Sequence, residues 1–440
     1  MNENAEHPQF VAWLRAVAPY IHAFRGKTLV IGFAGELVTD GRLNTLAQDL
    51  SLLHAMGMRL VLVFGSRPQI DEQMTLRGAQ SRYHDSIRIT DALALECAKE
   101  AAGETRLDIE AAFSQGLPNT PMAHSTVRVI SGNFVTARPV GIVGGVDFEH
   151  TGLVRKVDTQ AIRLALGNDA LVLLPPLGFS PTGEAFNLSM EDVATATAIA
   201  LDADKLIFVT ETDGVRDEQG RVMTEITEGL ARTLLDADQL PADAAAYLRY
   251  ALKACDGGVA RAHIVPFALD GSVLLELFLH DGVGSMVVEE TLEALREAGQ
   301  DDVGGIIALI RPLEEDGTLV KRDRSLIERE ITNFTVIEHD GVIFGCAALY
   351  AFANEATGEL ACLAVNPNVQ GQGDGERLLK RIEQRARAAG MKRLFVLTTR
   401  TGHWFLKRGF IPGTVDDLPR SRKNLYNWQR KSQVLLKTLA

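Results

Sequence analysis

The sequence predicts two α/β units in series: a parallel-sheet sandwich over roughly the first 280 residues, then a smaller α+β domain. Three observations carry this. The early part alternates short apolar runs with helical patterns, the signature of parallel strands covered by helices. The pattern changes near residue 290 to helices, a hairpin and mixed strands. The length, 440 residues, exceeds what one ordinary core organises. We divide the chain into a first domain over 1–285, a linker over 286–294 and a second domain over 295–440.

In the first domain the strands are predicted at Thr28–Ile31, Arg59–Phe64, Thr126–Ile130, Ala170–Leu174, Lys205–Thr210 and Ala262–Pro266. Helical stretches lie between them, among them Asn44–Met56, Met190–Ala200 and Ala242–Cys255. Several strands end in glycine or in Thr-x-x-Gly, as at Thr210–Gly214, and the carboxyl ends of such strands are where open α/β sheets collect ligands. Ser285 to Ala298 reads as an amphipathic helix or a tether. Beyond it come helices at Val303–Leu309 and Asp323–Glu330, then the hairpin Phe334–Glu338 and Val342–Tyr350 turning at His339-Asp340-Gly341. The strand Gly358–Val365, a glycine-rich loop, a helix to Ala389, the strand Arg393–Thr398 and a helix ending near Arg408 follow.

Composition narrows the function. Net charge is −12, with 57 acidic against 45 basic residues, which argues against bulk nucleic-acid or anionic-membrane partners. No apolar stretch approaches a membrane span, and the polar, acidic start (Met1 to Phe10) is unlike a secretory signal. Cys97, Cys255, Cys346 and Cys362 form no CxxC pair, so we expect reduced thiols in a cytoplasmic protein and no metal site.

The densest chemistry lies in Val365–Leu379. A strand ends at Val365, Pro367 stops it, and Gly371, Gly373 and Gly375 open a helix. Glycines leave room for phosphate oxygens, and the first helical turn presents free N–H groups and a positive dipole to an anion. A Rossmann dinucleotide loop is the rival, but its G-x-G-x-x-G spacing and early βαβ position are missing. With Gln370 directly before the first glycine, the stretch resembles the [Gln/Arg]-x-x-Gly-x-[Gly/Ala] loop of the GCN5-related N-acetyltransferase (GNAT) family, met by Gln370, Gly373 and Gly375. The resemblance implies acetyl-CoA as cosubstrate, with Glu376 in the first helical turn beside the loop. Asp374 departs from the family pattern, which is usually apolar there; because an inward carboxylate would repel pyrophosphate, we expect it to face solvent.

Acetyl transfer needs a neutral amine, a donor for the developing oxyanion and a proton for the leaving thiolate. In the resembled fold the strand before the loop splays open and its backbone N–H holds the thioester carbonyl. Here that implies the N–H groups near Cys362 and Leu363, on the strand ending at Val365. Glu359, a carboxylate in an apolar run, suits a general base with a raised pKa. The family's usual acid is a tyrosine four residues before a Gly-Phe pair. The pair here is Gly409-Phe410 and the position holds Phe405, which has no proton to give; Thr398 is the nearest replacement.

The acceptor is suggested by the first domain. Ser131–Pro139, Gly144–Asp158, Thr210–Val215, Gly257–Ile264 and Glu276–Ser285 resemble the amino acid kinase domain of the bacterial N-acetylglutamate synthase family, and the resemblance spans nearly the whole chain. It implies L-glutamate as acceptor, the first step of arginine biosynthesis, and a homo-oligomer (a hexamer in the family), with the helix Gln9 to Phe24 as an assembly arm. Phosphoryl transfer needs cations about the phosphate. Val30–Gly35 has no lysine, Phe64–Pro68 lacks the kinase glycine pattern, and Tyr247 falls near the place of the late lysine, so the domain reads as catalytically silent.

A silent domain suits sensing of the end product. The resemblance implies L-arginine beside Glu276–Ser285, near His263, with Glu276 taking the guanidinium and backbone N–H groups at Gly282, Gly284 and Ser285 taking the carboxylate. Leu279 and Ser285 replace commoner threonines. Glutamate's two carboxylates need cations, for which Arg322, and Arg430 with Ser432 at the start of the last strand, are the candidates. Other readings are an acetyltransferase for another amine, a non-catalytic arginine and acetyl-CoA sensor, and an active kinase.

Overall fold

The computed structural model describes residues 3–115, 127–279, 282–289, 293–339, 341–367 and 373–439. It divides into two compact units, Met1–Thr291 and Leu292–Ala440.

The first unit begins with helix α1 (Glu3–Phe24). Its main sheet has eight strands: β1 (Thr28–Phe33), β2 (Arg59–Phe64), β3 (Arg128–Ser131), β4 (Ala170–Leu174), β5 (Lys205–Thr210), β6 (Glu225–Thr227), β7 (Arg261–Pro266) and β8 (Ser285–Val288). They lie in the order β6-β8-β7-β5-β1-β2-β4-β3. The pairs from β7 to β3 are all parallel, and β8 runs antiparallel to β7. Central strands covered on both faces must be apolar throughout, and these are. Val30, Val61, Val63, Val172 and Leu206 enter one core, while their neighbours Leu29, Ile31, Leu62, Leu173 and Ile207 enter the other. Helices α2 (Met190–Leu201) and α3 (Ala242–Asp256) pack in the first of these layers. A smaller sheet of Val135–Pro139, Gly152–Val157, Leu177–Phe179 and Ala185–Asn187 sits beside it.

The strands predicted from apolar runs are all present; that at Thr126–Ile130 is observed from Arg128, and Thr126 lies outside the described residues. Ser285 to Ala298 is neither helix nor tether throughout. Ser285–Val288 is β8, and Glu293–Glu297 is a strand of the second unit. Val287 and Val288 are buried, because β8 lies inside the sheet, paired with β6 on one side and β7 on the other.

The second unit is a seven-stranded sheet of β9 (Glu293–Glu297), β10 (Phe334–His339), β11 (Val342–Phe352), β12 (Thr357–Val365), β13 (Arg393–Thr398), β14 (Ile411–Gly413) and β15 (Gln433–Thr438), in the order β9-β10-β11-β12-β13-β15-β14. Helices α4 (Val303–Glu315) and α5 (Arg324–Arg329) pack on one face through Val303, Ile306, Ile310 and Ile327. Helix α6 (Asp374–Ala388) covers the other through Leu378, Leu379, Ile382 and Ala386. The hairpin joins β10 to β11 as predicted, although its Asp340 lies outside the described residues.

Candidate active site

Two irregularities in β12 open the second unit's sheet. The first is a bulge. Cys346 pairs with Ala364 and Ala348 with Ala361, so Ala347 faces both Cys362 and Leu363. The extra residue is accommodated by Cys362 at φ +50°, a conformation costly for any residue with a Cβ. The second is a splay. β12 and β13 pair in parallel only from Thr357, Gly358 and Glu359 to Arg393, Leu394 and Phe395. β12 then runs on to Val365 without its neighbour, while Val396, Leu397 and Thr398 of β13 pair with β15. A wedge therefore opens at the bulge, next to the backbone of Cys362 and Leu363.

Glu359 stands at the apex of this wedge. It is buried, and both its oxygens are engaged: Arg422 Nε donates to Oε2 at 2.6 Å and Nη2 to Oε1 at 2.9 Å. The sequence offered no partner for this carboxylate. Arg422 comes from the short helix Arg420–Asn424, 63 residues away, and nothing in its basic run separates it from a solvated surface. Opposite Glu359 on β11 is Tyr350, also missed, whose hydroxyl is pushed up to about 12 by burial despite Arg322 nearby.

Arg322 precedes α5, its backbone N–H held by Glu314 at 2.9 Å. Burial opposes its charge, but Cys362, Tyr350 and Glu359 nearby outweigh that and raise its pKa, Tyr350 also by a hydrogen bond. Arg430 anchors to the carbonyls of Gly317 and Thr318, at 3.2 and 2.5 Å. Burial first, and then Arg322, hold its pKa below the usual arginine range. Two half-buried guanidinium groups that repel each other are a place where an anion between them would be favoured. Arg430 and Ser432 lie in the turn before β15, which starts at Gln433 rather than at Arg430; the Ser432 carbonyl accepts from Tyr426.

Thr398 ends β13 and is buried, its hydroxyl 2.8 Å from that of Thr401. Phe405 is a core residue packed against Phe410 and Trp404, so no proton donor stands there. At the start of α6, Gly373 has φ +100° and caps the helix. A Cβ at Gly375 would lie 3.2 Å from the Trp404 ring, which would have to give by a few tenths of an ångström. Gln370 and Gly371 lie outside the described residues.

Asp374 corrects the expectation of a solvent-facing carboxylate. It is 7 % exposed and accepts from Arg377 Nη1 at 3.2 Å. Neutralisation by the guanidinium one turn on, together with the helix's positive end, makes burial tolerable. Glu376 points instead to Lys380 and Arg408, at 3.1 and 3.4 Å.

In the first unit the residues expected to hold arginine are bonded to one another. Glu276 Oε2 accepts from the N–H groups of Val283 and Gly284 at 2.7 and 3.0 Å, and Oε1 lies 2.7 Å from His263 Nδ1. Thus the carboxylate and the N–H groups expected to hold opposite ends of a ligand satisfy each other. Gly282 has φ +60°, and Gly284 passes so close to Ile264 that a Cβ would lie 2.1 Å from its carbonyl oxygen. Ser285 is fully buried and its hydroxyl accepts from the Val215 N–H at 2.8 Å, a role inside the sheet. His263 contacts Lys205 at 3.4 Å, and the Lys205 ammonium lies over the Phe24 ring of α1. Among the described residues no cluster could hold a metal ion, and no helix is long and apolar enough to cross a membrane.

The comparisons with known proteins agree with this geometry. Residues 27–266 match the amino acid kinase family and residues 307–410 the acetyltransferase (GNAT) family. An amino-acid acetyltransferase of Ralstonia nicotianae is 66% identical over 99% of this chain and 96% of its own length. One from Pseudomonas syringae pv. tomato is 50% identical over 98% of this chain and all of its own. Among solved structures, N-acetylglutamate synthase from Neisseria gonorrhoeae complexed with coenzyme A and L-arginine matches with a TM-score of 0.86 at 40% identity, covering 98% of this chain and 99% of that one. The same enzyme complexed with coenzyme A and N-acetyl-glutamate matches with a TM-score of 0.61. Fold and site together define a GNAT acyltransferase preceded by an amino acid kinase unit. The chain belongs to the amino-acid acetyltransferase family.

Proposed function

We propose that the enzyme transfers the acetyl group of acetyl-CoA to the α-amine of L-glutamate, giving N-acetyl-L-glutamate and CoA, and that L-arginine inhibits it through the first unit. The observation carrying this reading is the meeting of Glu359, Arg322 and the Cys362 bulge at one wedge. The ligands of the Neisseria gonorrhoeae relative support it. The glutamate amine, its proton taken by Glu359, attacks the thioester carbonyl. Backbone N–H groups near Cys362 and Leu363 hold the oxyanion. Collapse breaks the C–S bond and the thiolate takes a proton, supplied through Thr398. Arg322, Arg430 and Ser432 bind the two carboxylates of glutamate. The turn at Gly373 and the start of α6, with Gly375 and the preceding Gln370 and Gly371, take the pyrophosphate.

L-Arginine would take over Glu276 in exchange for its internal partners, its carboxylate then using the released N–H groups at Val283 and Gly284. Chain-internal bonds must break first, so we expect modest affinity. The reading includes a first unit without kinase activity, the first step of arginine biosynthesis, a cytoplasmic location and a homo-oligomer, hexameric by resemblance. Exposed Phe10, Trp13 and Leu14 on α1 support an assembly role. The test is release of free thiol from acetyl-CoA with L-glutamate, with and without L-arginine. Glutamate-dependent release suppressed by arginine is the expected result. Release with another amine but not glutamate would overturn the acceptor, and a rate indifferent to arginine would overturn the sensing role.

A further inference from the structure

The first unit holds a cavity of about 560 Å³ that the acetyl-transfer chemistry does not use. It lies where Ala34–Glu36, Gly65–Arg67, Pro176 and Glu211 leave the carboxyl ends of β1, β2, β4 and β5. Five carboxylates line it: Glu36, Asp85, Glu191, Glu211 and Asp243. Four of them (Glu36, Glu191, Glu211 and Asp243) surround one phenol; after burial, their fields push Tyr247 well above the usual tyrosine range. Burial likewise raises Glu191 and Glu211 above the ordinary carboxylate range.

The cations lining the cavity do not balance this charge. Arg88 is committed to Asp71 at 2.7 Å and Lys253 to Asp192 at 3.0 Å, and neither aspartate lines the cavity. Arg67 stacks on Tyr83 at 4.9 Å, which leaves Arg249 beside it. Five carboxylates against these two leave an excess of negative charge. An independent pointer to a ligand is Ser66, on the cavity wall. It is 2 % exposed and its hydroxyl has no hydrogen-bond partner among the described residues. Buried polar groups are seldom left so.

We propose that this cavity binds a small aliphatic compound with two ammonium groups on a flexible chain, its cations held by Glu191, Glu211, Glu36 and Asp243. Among the described residues no three acidic or imidazole groups converge closely enough for a metal ion, so the charge to be neutralised is spread out. Two separated ammonium groups match that spread, and the hydrocarbon between them suits the Ile70, Leu188 and Met190 parts of the wall. A free diamine and a basic amino acid share this chemistry. They differ in a carboxylate, which only Arg67 and Arg249 could receive.

The test is calorimetric titration of the full chain with 1,5-diaminopentane and, separately, with L-lysine, up to about 10 mM, where a weak site still gives heat. The Glu276→Gln variant serves as background so that the candidate effector site does not contribute. Binding of either compound is expected, weakened at least about tenfold in a further Glu191→Gln, Glu211→Gln double variant. Tighter binding of L-lysine would bring Arg67 into the site; tighter binding of the diamine would leave it out. Glu191 is half-buried and Glu211 exposed, and among the described residues neither makes an ion pair, so the double variant should fold and keep acetyl transfer. Asp243→Asn, at an exposed position, gives a second test of the same weakening. No heat with either compound, or heat unchanged in both variants, overturns the proposal whatever the acetyl-transfer assay gives.

Discussion

Arg422 clasps Glu359 with two parallel hydrogen bonds, 2.6 and 2.9 Å long, across 63 residues of sequence. The carboxylate is buried, whereas the guanidinium side chain is 23% exposed. Such a fork fixes the direction of the carboxylate and gives it a paired cation. In the proposed mechanism a base so held is oriented before substrate arrives, which would make Arg422 a positioning residue rather than one that touches the reacting atoms.

Glu359→Gln should lower kcat by about 100- to 10,000-fold, the range for loss of a positioned general base, with a smaller effect on either KM. Unchanged kcat would remove Glu359 from the reaction. Arg422→Gln leaves a buried carboxylate without its cation and should cost about 1–3 kcal/mol of stability, less than a fully buried pair because solvent reaches Arg422. Thermal unfolding measures this.

Arg322→Ala should raise the KM for glutamate roughly 10- to 100-fold, the loss of one charge-assisted contact, and leave that for acetyl-CoA nearly unchanged. Arg430→Ala should act in the same direction, with an added loss of stability because its contacts to Gly317 and Thr318 tie two loops together. Steady-state kinetics with each substrate varied separates the cases. Equal rises in both KM values for Arg322→Ala would refute its role in glutamate binding.

Much of this architecture was legible because buried parallel strands are continuous apolar runs. Arg59–Phe64, Ala170–Leu174 and Lys205–Thr210 were read to the residue. The three-residue strands Leu177–Phe179 and Ala185–Asn187 were not, since three residues carry no period. The β12 strand and the start of α6 could be read from local spacing, but the bulge at Cys362 could not; a positive φ in a cysteine leaves no mark in sequence. Charge partners were the least legible. Asp374 was expected in solvent and is buried because Arg377 lies one turn on, and Glu359 meets Arg422 only through the tertiary fold.

The His263–Glu276 pair makes the first unit sensitive to acid. Burial, with Lys205 adding to it, lowers His263 to about 4, and although burial alone would raise Glu276, its bonds to His263 and to the Val283 and Gly284 N–H groups lower it overall. Both groups hold fewer protons folded than unfolded, so stability rises with pH in that range. Stability should be full above about pH 6.5, the unfolded histidine value, and decline as pH falls toward 4. His263→Gln should flatten the upper part of the decline. Melting temperatures of wild type and variant running parallel from pH 7 to 4 would show that another group controls it.

Gly373 and Gly390 bracket the same helix and give a matched pair of probes. Both have positive φ, +100° and +74°, and a Cβ at either would meet nothing within 4 Å. Alanine at each should therefore cost about 1 kcal/mol through backbone strain alone. Only Gly373, at the amino end of α6, stands where pyrophosphate would meet the helix; Gly390 follows its carboxyl end. Gly373→Ala should raise the KM for acetyl-CoA about three- to tenfold, as a shifted cradle loses part of one charge-assisted hydrogen bond. Gly390→Ala should lower the melting temperature similarly and leave that KM alone. If both variants raise it equally, the effect is general loosening of α6, and the turn at Gly373 has no particular part in holding the cosubstrate.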